Sequence, residues 1–331
     1  MTKKFLITGG AGFIGSHLAE NLLKHNHEVW VVDNLSGSAS YNIQHLLKNR
    51  NFHFVKGTIL NERLMMRLMK NTLRIWHLAA TMGVKRIIEK PLDSFVNNID
   101  GTKMILSLAS RKKIPVLIAS SSEIYGKNPH LPFEEEADRV YGAVESPRWG
   151  YALAKTVNEF LALTYSRQRK FPCTIVRLFN VIGPRQTAAQ GMVVPTFIQQ
   201  ALSGRPITVY GEGSQTRCFI DVEDVVSALI SLMETPKAFG EVFDLGSQEE
   251  IRIIDLARLI KKLTKSKSGI IRIPYRKAYG PKFEDVTRSK PRLIKIKKLI
   301  HFEPKFTLEE SLKMIIDFHI SKNYQNFYKK K

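Results

Sequence analysis

Apolar residues recur along the first half of the chain in two alternating patterns. Short, nearly unbroken apolar runs at Lys4–Thr8, Glu28–Val32, Phe52–Val55, Ile75–Leu78 and Val116–Ala119 have the length and composition of buried strands. Between the first two runs, Phe13, Ile14, Leu18, Leu22 and Leu23 fall at helical spacing, which predicts a helix over Phe13–His25. Tyr151–Arg169 reads as a later helix, and Cys173–Leu178 as the strand that follows it. Strands alternating with helices imply a parallel sheet wound on both faces, joined by right-handed crossovers. From Gly183 onward the pattern changes to short mixed segments punctuated by Gly and Pro. The expected architecture is an α/β, doubly wound parallel sheet over residues 1–182, with 216–245 returning to it. A smaller, interleaved C-terminal lobe from 183–215 and 246–331 would hold the substrate.

Composition changes this picture little. Of 331 residues, 44% are hydrophobic and 24% charged, as in ordinary globular proteins. No apolar run reaches the ~18 residues of a membrane span, so no membrane insertion is expected. Phe5-Leu6-Ile7 ends at Thr8-Gly9, too short for a signal-peptide core. Cys173 and Cys218 give neither a disulfide framework nor metal-ligand spacing. These features together read as a cytoplasmic protein without a metal site. Charge is the exception: 51 Lys and Arg oppose 30 Asp and Glu, a formal net charge of +21. The excess is spread along the chain, densest at Lys261-Lys262, Lys295–Lys298 and Lys329–Lys331, with no nucleic-acid-binding signature. It reads as a basic surface suited to anionic ligands, and no nucleic-acid partner is expected.

The first candidate chemistry lies at the first strand-to-helix turn. Thr8-Gly9-Gly10-Ala11-Gly12-Phe13-Ile14-Gly15 follows the strand and opens the helix. Glycines at 9, 12 and 15 permit a tight turn, close backbone approach and tight helix–strand packing, and the helix start offers N–H groups to a pyrophosphate. Asp33 ends the second strand, where a carboxylate accepts from adenosine ribose hydroxyls and repels a 2′-phosphate. The pattern predicts a Rossmann-type site for NAD rather than NADP.

The second is Tyr151-Ala152-Leu153-Ala154-Lys155, whose spacing puts the phenol and the ammonium on one helix face. A free tyrosine is a poor base at neutral pH; a neighbouring ammonium would stabilise the phenolate and lower its pKa. Tyr151 could then take a hydroxyl proton while a hydride leaves the same carbon. Ser120-Ser121-Ser122, ending the fifth strand, offers a hydroxyl to bridge phenol and substrate.

With these residues assembled, the chain resembles the extended short-chain dehydrogenase/reductase family, and within it the NDP-sugar epimerase, dehydratase and decarboxylase group. Further signatures are Asp33-Asn34-Leu35-Ser36, His77-Leu78-Ala79-Ala80, Asn98-Ile99-Asp100-Gly101-Thr102, Ser121-Ser122-Glu123-Ile124-Tyr125-Gly126, Arg177-Leu178-Phe179-Asn180 and Gly183-Pro184-Arg185. The resemblance implies a catalytic set of Ser121, Tyr151 and Lys155, with Glu123 beside them. It implies NAD held by Gly9, Gly12, Phe13, Ile14, Gly15, Asp33, Asn34, Thr58, Ile59, Leu78, Ala79 and Ala80, together with Tyr151 and Lys155. It implies a nucleotide-diphosphate sugar contacted by Ser122 and Asn180, bordered at its base by Val194 and Tyr210, and clamped at its diphosphate by Arg217. It also implies a homodimer through the Tyr151 helix and a helix from about Ile88 to Arg111. One departure is Thr58-Ile59 after Gly57, where relatives often carry an acid for adenine; the Thr58 hydroxyl or backbone would make that contact.

Three fates of a 4-keto sugar follow from the same first step. Glu123 suits chemistry at carbon 5, and Ser122-Glu123, Pro147-Arg148-Trp149 and Tyr279-Gly280 through Lys290-Pro291 resemble UDP-glucuronate decarboxylases. The arginine that decarboxylases place two residues before Pro291 is Ser289 here, with Arg288 adjacent. The expectation is therefore a 4-epimerase of a UDP-sugar, with UDP-glucuronate decarboxylase or NDP-sugar 4,6-dehydratase as alternatives. An idle, NAD-sensing binding protein on the same scaffold is the alternative of a different class.

Overall fold

The computed structural model describes residues 3–37, 40–81, 91–143, 145–280 and 284–321. Seven strands form one sheet: β1 (Lys4–Thr8), β2 (Glu28–Asp33), β3 (Phe52–Lys56), β4 (Arg74–His77), β5 (Val116–Ser121), β6 (Cys173–Leu178) and β7 (Val242–Leu245). Their order is β7-β6-β5-β4-β1-β2-β3, and every pairing is parallel. The chain order reverses at β1, which pairs with β2 on one side and β4 on the other. In such sheets the crevice beyond the strand ends at that reversal is where ligands bind.

Alternate side chains of each strand feed two cores. Phe5 and Ile7 of β1, Leu117 of β5 and Val176 of β6 pack with the helices Phe13–Lys24 and Val222–Glu234. Leu6, Val116, Ile118 and Ile175 face the helices Glu62–Leu68, Pro91–Lys112 and Pro147–Arg169. Both faces are buried, which is why the strands read as continuous apolar runs. A third core belongs to the C-terminal lobe, where the helices Val193–Leu202, Ile253–Leu263 and Leu308–Ile320 enclose Ile207, Val209 and Phe219.

Two boundaries differ from the sequence pattern in ways that shape the site. Strand β5 continues to Ser121 because its ladder with β6 runs on to the Ser121↔Leu178 pair. The Tyr151 helix begins at Pro147, with Ser146 as N-cap and proline at the first turn, where its missing N–H costs nothing. Tyr151 therefore lies inside a formed helix. Of the expected dimer helix, residues 88–90 lie outside the described residues, and the helix is described over Pro91–Lys112.

Candidate active site

The glycine turn is a cradle with no room for side chains. Gly9 has φ +73°, and a Cβ there would lie 2.7 Å from the Ala79 backbone nitrogen. A Cβ on Gly15 would lie 2.5 Å from the Gly9 carbonyl oxygen. Gly12 is the N-cap of the helix Phe13–Lys24 and supplies no side-chain cap, so the first-turn N–H groups face the crevice unblocked by a side chain. Asp33 is held against this turn: its carboxylate accepts from the Ala11 N–H (3.1 Å) and the Leu35 N–H (2.8 Å). A carboxylate accepts several hydrogen bonds at once, the chemistry that ribose hydroxyls require. Asn42, which the sequence reading missed, donates its amide to the Ala11 carbonyl at 3.1 Å. A backbone cradle, an uncapped helix start and an adjacent acid fit a dinucleotide diphosphate and ribose.

A buried polar chain fixes the floor beyond β4. Thr8 Oγ1 and His77 Nδ1 are 2.7 Å apart, and His77 Nε2 lies 3.1 Å from Thr102 Oγ1. Burial pushes His77 down to about 3, with the Lys155 charge adding to the effect, so the ring is neutral. Asn98 holds Thr81 by both ends of its amide, accepting from the N–H at 2.7 Å and donating to the carbonyl at 3.0 Å. Leu78, Ala79 and Ala80 are thereby held partly exposed above the cradle.

The catalytic candidates meet at the end of β5. Ser121 caps the turn Ser122–Tyr125, its hydroxyl accepting from the Glu123 N–H at 3.2 Å, and it is also hydrogen-bonded to the Tyr151 phenol. Lys155 is 5% exposed; its Nζ donates to the Ala119 carbonyl at 2.7 Å and lies 5.9 Å from the Tyr151 ring centre. Burial pulls Lys155 down to about 8, opposed by Glu159. Tyr151 is raised above the ordinary phenol, first by burial and next by the Glu123 charge, with the Ser121 hydrogen bond opposing. Glu123 itself is partly exposed on the short turn.

On the lobe side, Arg217 Nη2 pairs with Asp285 at 3.0 Å. Tyr275 donates its hydroxyl to the same carboxylate, and Gln215 bridges the Tyr275 hydroxyl (2.8 Å) and the Tyr210 carbonyl (3.1 Å). Asn180 donates its amide to the Cys218 carbonyl at 3.0 Å. Arg288 does not turn inward: it grips Glu250 by two bonds of 2.9 and 2.8 Å near the surface, while Ser289 is buried.

The sequence model of the NAD dependent epimerase/dehydratase family matches residues 5–246. The chain belongs to that family, a group of extended short-chain dehydrogenases. It is 43% identical over 320 residues to a UDP-N-acetyl-alpha-D-glucosaminuronate decarboxylase of Bacillus cytotoxicus, covering 96% of this chain and 98% of the relative. It is 36% identical to UDP-glucuronic acid decarboxylase 1 of Danio rerio, over 96% of this chain and 72% of the relative. Among solved structures, the UDP-glucuronic acid 4-epimerase from Bacillus cereus, in complex with UDP-glucuronic acid and NAD, superposes with a TM-score of 0.86 at 29% identity, covering 95% of this chain and 98% of that one. The protein is thus an NAD-dependent enzyme with a Rossmann-type fold.

Within this family member, the structure gathers Gly9, Gly12, Gly15, Asp33 and Ala79 at one crevice, and Ser121, Glu123, Tyr151 and Lys155 beside it. Phe13 and Ile14 open the helix, partly exposed, and Asn34 lies exposed next to Asp33, its side chain accepting from the Ser36 N–H. Thr58 is exposed, its hydroxyl accepting from the Leu60 N–H at 3.2 Å, while Ile59 packs against Gly101. Two expectations are corrected. Lys155 does not lower Tyr151 below an ordinary phenol, because its ammonium is turned to the Ala119 carbonyl and burial with Glu123 outweighs it. Val194 does not line an open cleft. It is 1% exposed, on the same buried face of its helix as Phe197, Ile198 and Ala201. The side chains of Pro147, Arg148 and Tyr279 lie outside the described residues. Asp285, Tyr275 and Gln215 were missed. They converge only in the fold, and no motif announces them.

Proposed function

We propose that the enzyme decarboxylates a UDP-linked hexuronic acid, with UDP-N-acetylglucosaminuronate the first substrate to test and UDP-glucuronate the second. The observation that carries this reading is Glu123, a carboxylate close enough to Tyr151 for its charge to raise that phenol. Exchange of hydride at carbon 4 calls for the Tyr151 system alone, whereas chemistry at carbon 5 calls for a further acid or base. Support comes from the relatives, since the decarboxylase of Bacillus cytotoxicus is 43% identical and the Bacillus cereus epimerase 29%.

The turn Gly9–Gly15 with Asp33, Asn34 and Thr58 would hold NAD at its adenosine end, and Leu78–Ala80 with Lys155 toward its nicotinamide. When bound, NAD supplies the reversible hydride acceptor for carbon 4. Tyr151 takes the carbon-4 hydroxyl proton, with Ser121 bridging phenol and substrate and Lys155 lending positive charge. With carbon 4 at the ketone level, a carboxyl group on carbon 5 is β to it. Its loss as carbon dioxide leaves the electron pair in an enolate, and Glu123, after taking a proton from solvent, would pass it to carbon 5. Arg217 and Asn180 would receive the diphosphate, as an arginine beside a pyrophosphate makes charge-assisted bonds. Tyr210 would border the base.

A 4-epimerase is the second reading. It is favoured by Ser289, buried where decarboxylases carry an arginine, and by Arg288 being tied to Glu250. Mass and NMR analysis of products from both uronates and UDP-glucose separates the two. The expected product has lost carbon dioxide; a product of unchanged mass overturns decarboxylation. In Glu123→Gln, decarboxylation should fall by about 10²–10⁴-fold with a trapped keto sugar, while an epimerase would keep most of its activity.

We also propose a homodimer. Leu92, Phe95 and Val96 on one helix, and Val157 and Phe160 on its packed neighbour, expose apolar surface, with Leu92 at 72% and Phe160 at 71%. A second copy of the same face would cover them.

A further inference from the structure

Lys155 stands in a site that disfavours its charge. It is almost fully buried between the end of β5 and its own helix, with one carbonyl, that of Ala119, receiving its ammonium. The groups facing it are His77 from β4, Tyr151 on the preceding helical turn and Glu159 on the following one. His77 is neutral, and among the described residues Glu159 is the anion that acts on Lys155.

Glu159 is 4% exposed and fixed from three elements. Ser120 of β5 donates its hydroxyl to Oε1 at 2.5 Å. Arg177 of β6 donates Nε to Oε1 at 3.0 Å and Nη2 to Oε2 at 2.8 Å. Arg139 approaches Oε2 at 3.8 Å from the preceding loop. Arg177 is itself anchored away from Lys155, donating Nη1 to the Tyr125 hydroxyl at 2.7 Å and the Glu135 carbonyl at 2.8 Å, with Asp244 of β7 at 4.0 Å. A purely structural ion pair would need only Glu159 and Arg177. This one also binds the residue before Ser121 and stands one helical turn from Lys155, where i and i+4 side chains are neighbours.

We propose that Glu159 is a positioning residue of the hydride-transfer site: its carboxylate, fixed by Arg177 and Ser120, keeps Lys155 in the ammonium form while aligning the end of β5 that carries Ser121. The inference rests on the reading of Tyr151 and Lys155 as the hydride-transfer pair. Without Glu159, the Ala119 carbonyl is what remains, among the described residues, to hold the ammonium against the burial that already brings Lys155 down to about 8.

The test is the pH profile of kcat on whichever uronate the product analysis identifies. Activity should fall as pH rises and Lys155 loses its proton. In Glu159→Gln this alkaline limb should move about one pH unit downward, the size of effect expected for loss of one nearby opposite charge. In Glu159→Asp, which keeps the charge, it should return toward the parent position. Glu159→Gln leaves Arg177 buried without its anion and can unfold the protein. The double variant Glu159→Gln/Arg177→Met removes both charges together, a change proteins often tolerate, and should show a smaller downward movement, because the Arg177 cation is lost along with the Glu159 anion. Asp244, pushed up to about 8 by burial, titrates in the same range, so Asp244→Asn should leave the limb in place. A limb unmoved in a folded Glu159→Gln or double variant, or one that follows Asp244 instead, overturns the proposal. Lys155→Met should abolish the limb in whatever activity remains. A limb that survives there overturns the reading of Lys155 as well as the role of Glu159.

Discussion

A buried phenol is a weak acid before any partner acts on it, and Tyr151 illustrates which neighbours matter. Burial and the Glu123 charge raise it, and the Ser121 hydrogen bond opposes them. Tyr151→Phe removes the proposed base and keeps the ring, so NAD binding, followed by fluorescence titration, should survive while turnover drops by about 10²–10⁴-fold. Unchanged turnover would exclude Tyr151 as the base. His77 gives a prediction on stability. Its folded pKa is depressed from 6.5 to about 3, so between those values the unfolded chain binds the extra proton. The associated stability is fully present above the unfolded value and is lost as pH falls toward the folded one. It should change by about 1.4 kcal/mol per unit. Chemical denaturation from about pH 6.5 down to about pH 5, above the carboxylate range, should show this slope, and His77→Gln should flatten it.

At the level of elements, the site is made by where strands and helices stop. Strand β1 must end in a turn tight enough for Ala79 to lie against Gly9, and the helix after it must start without a side-chain cap. Gly15→Ala would put a methyl group 2.5 Å from the Gly9 carbonyl, a backbone atom with no freedom to retreat. Thermal melting should show a loss of about 1–3 kcal/mol and NAD affinity should collapse, because the turn itself must move. An Ala variant that binds NAD normally would mean the turn does not hold the cofactor. The second stop is the Ser121 end of β5, where the ladder with β6 closes and the Ser122–Tyr125 turn begins. That turn carries Glu123, whose charge raises the Tyr151 phenol.

The whole molecule brings together segments far apart in the chain. Arg217 and Asp285 pair across 68 positions, and Arg177 collects Tyr125, Glu135 and Glu159 beneath the helix Pro147–Arg169. The paired helices Pro91–Lys112 and Pro147–Arg169 carry the exposed Leu92 and Phe160 on the outside. If a second copy covers them, Leu92→Lys/Phe160→Asp should sediment as a monomer at concentrations where the parent is a dimer. A parent that sediments as a monomer would refute the dimer itself.

The sequence by itself determined the class of fold and the NAD cofactor, because both depend on local order. Buried parallel strands must be apolar throughout, a diphosphate cradle must be glycine next to a helix start, and residues four apart on a helix must share a face. Gly9–Gly15, Asp33, Tyr151 and Lys155 were legible for that reason. What only the tertiary structure decided is how charge is distributed among groups that local order does not connect. Lys155 turns to the Ala119 carbonyl, Arg288 to Glu250 and Arg217 to Asp285, and Val194 turns into the lobe core. Each outcome depends on which side chains from distant strands reach the same few ångströms. A motif fixes the residue type but not the neighbours, and in a buried site the neighbours set the proton affinities.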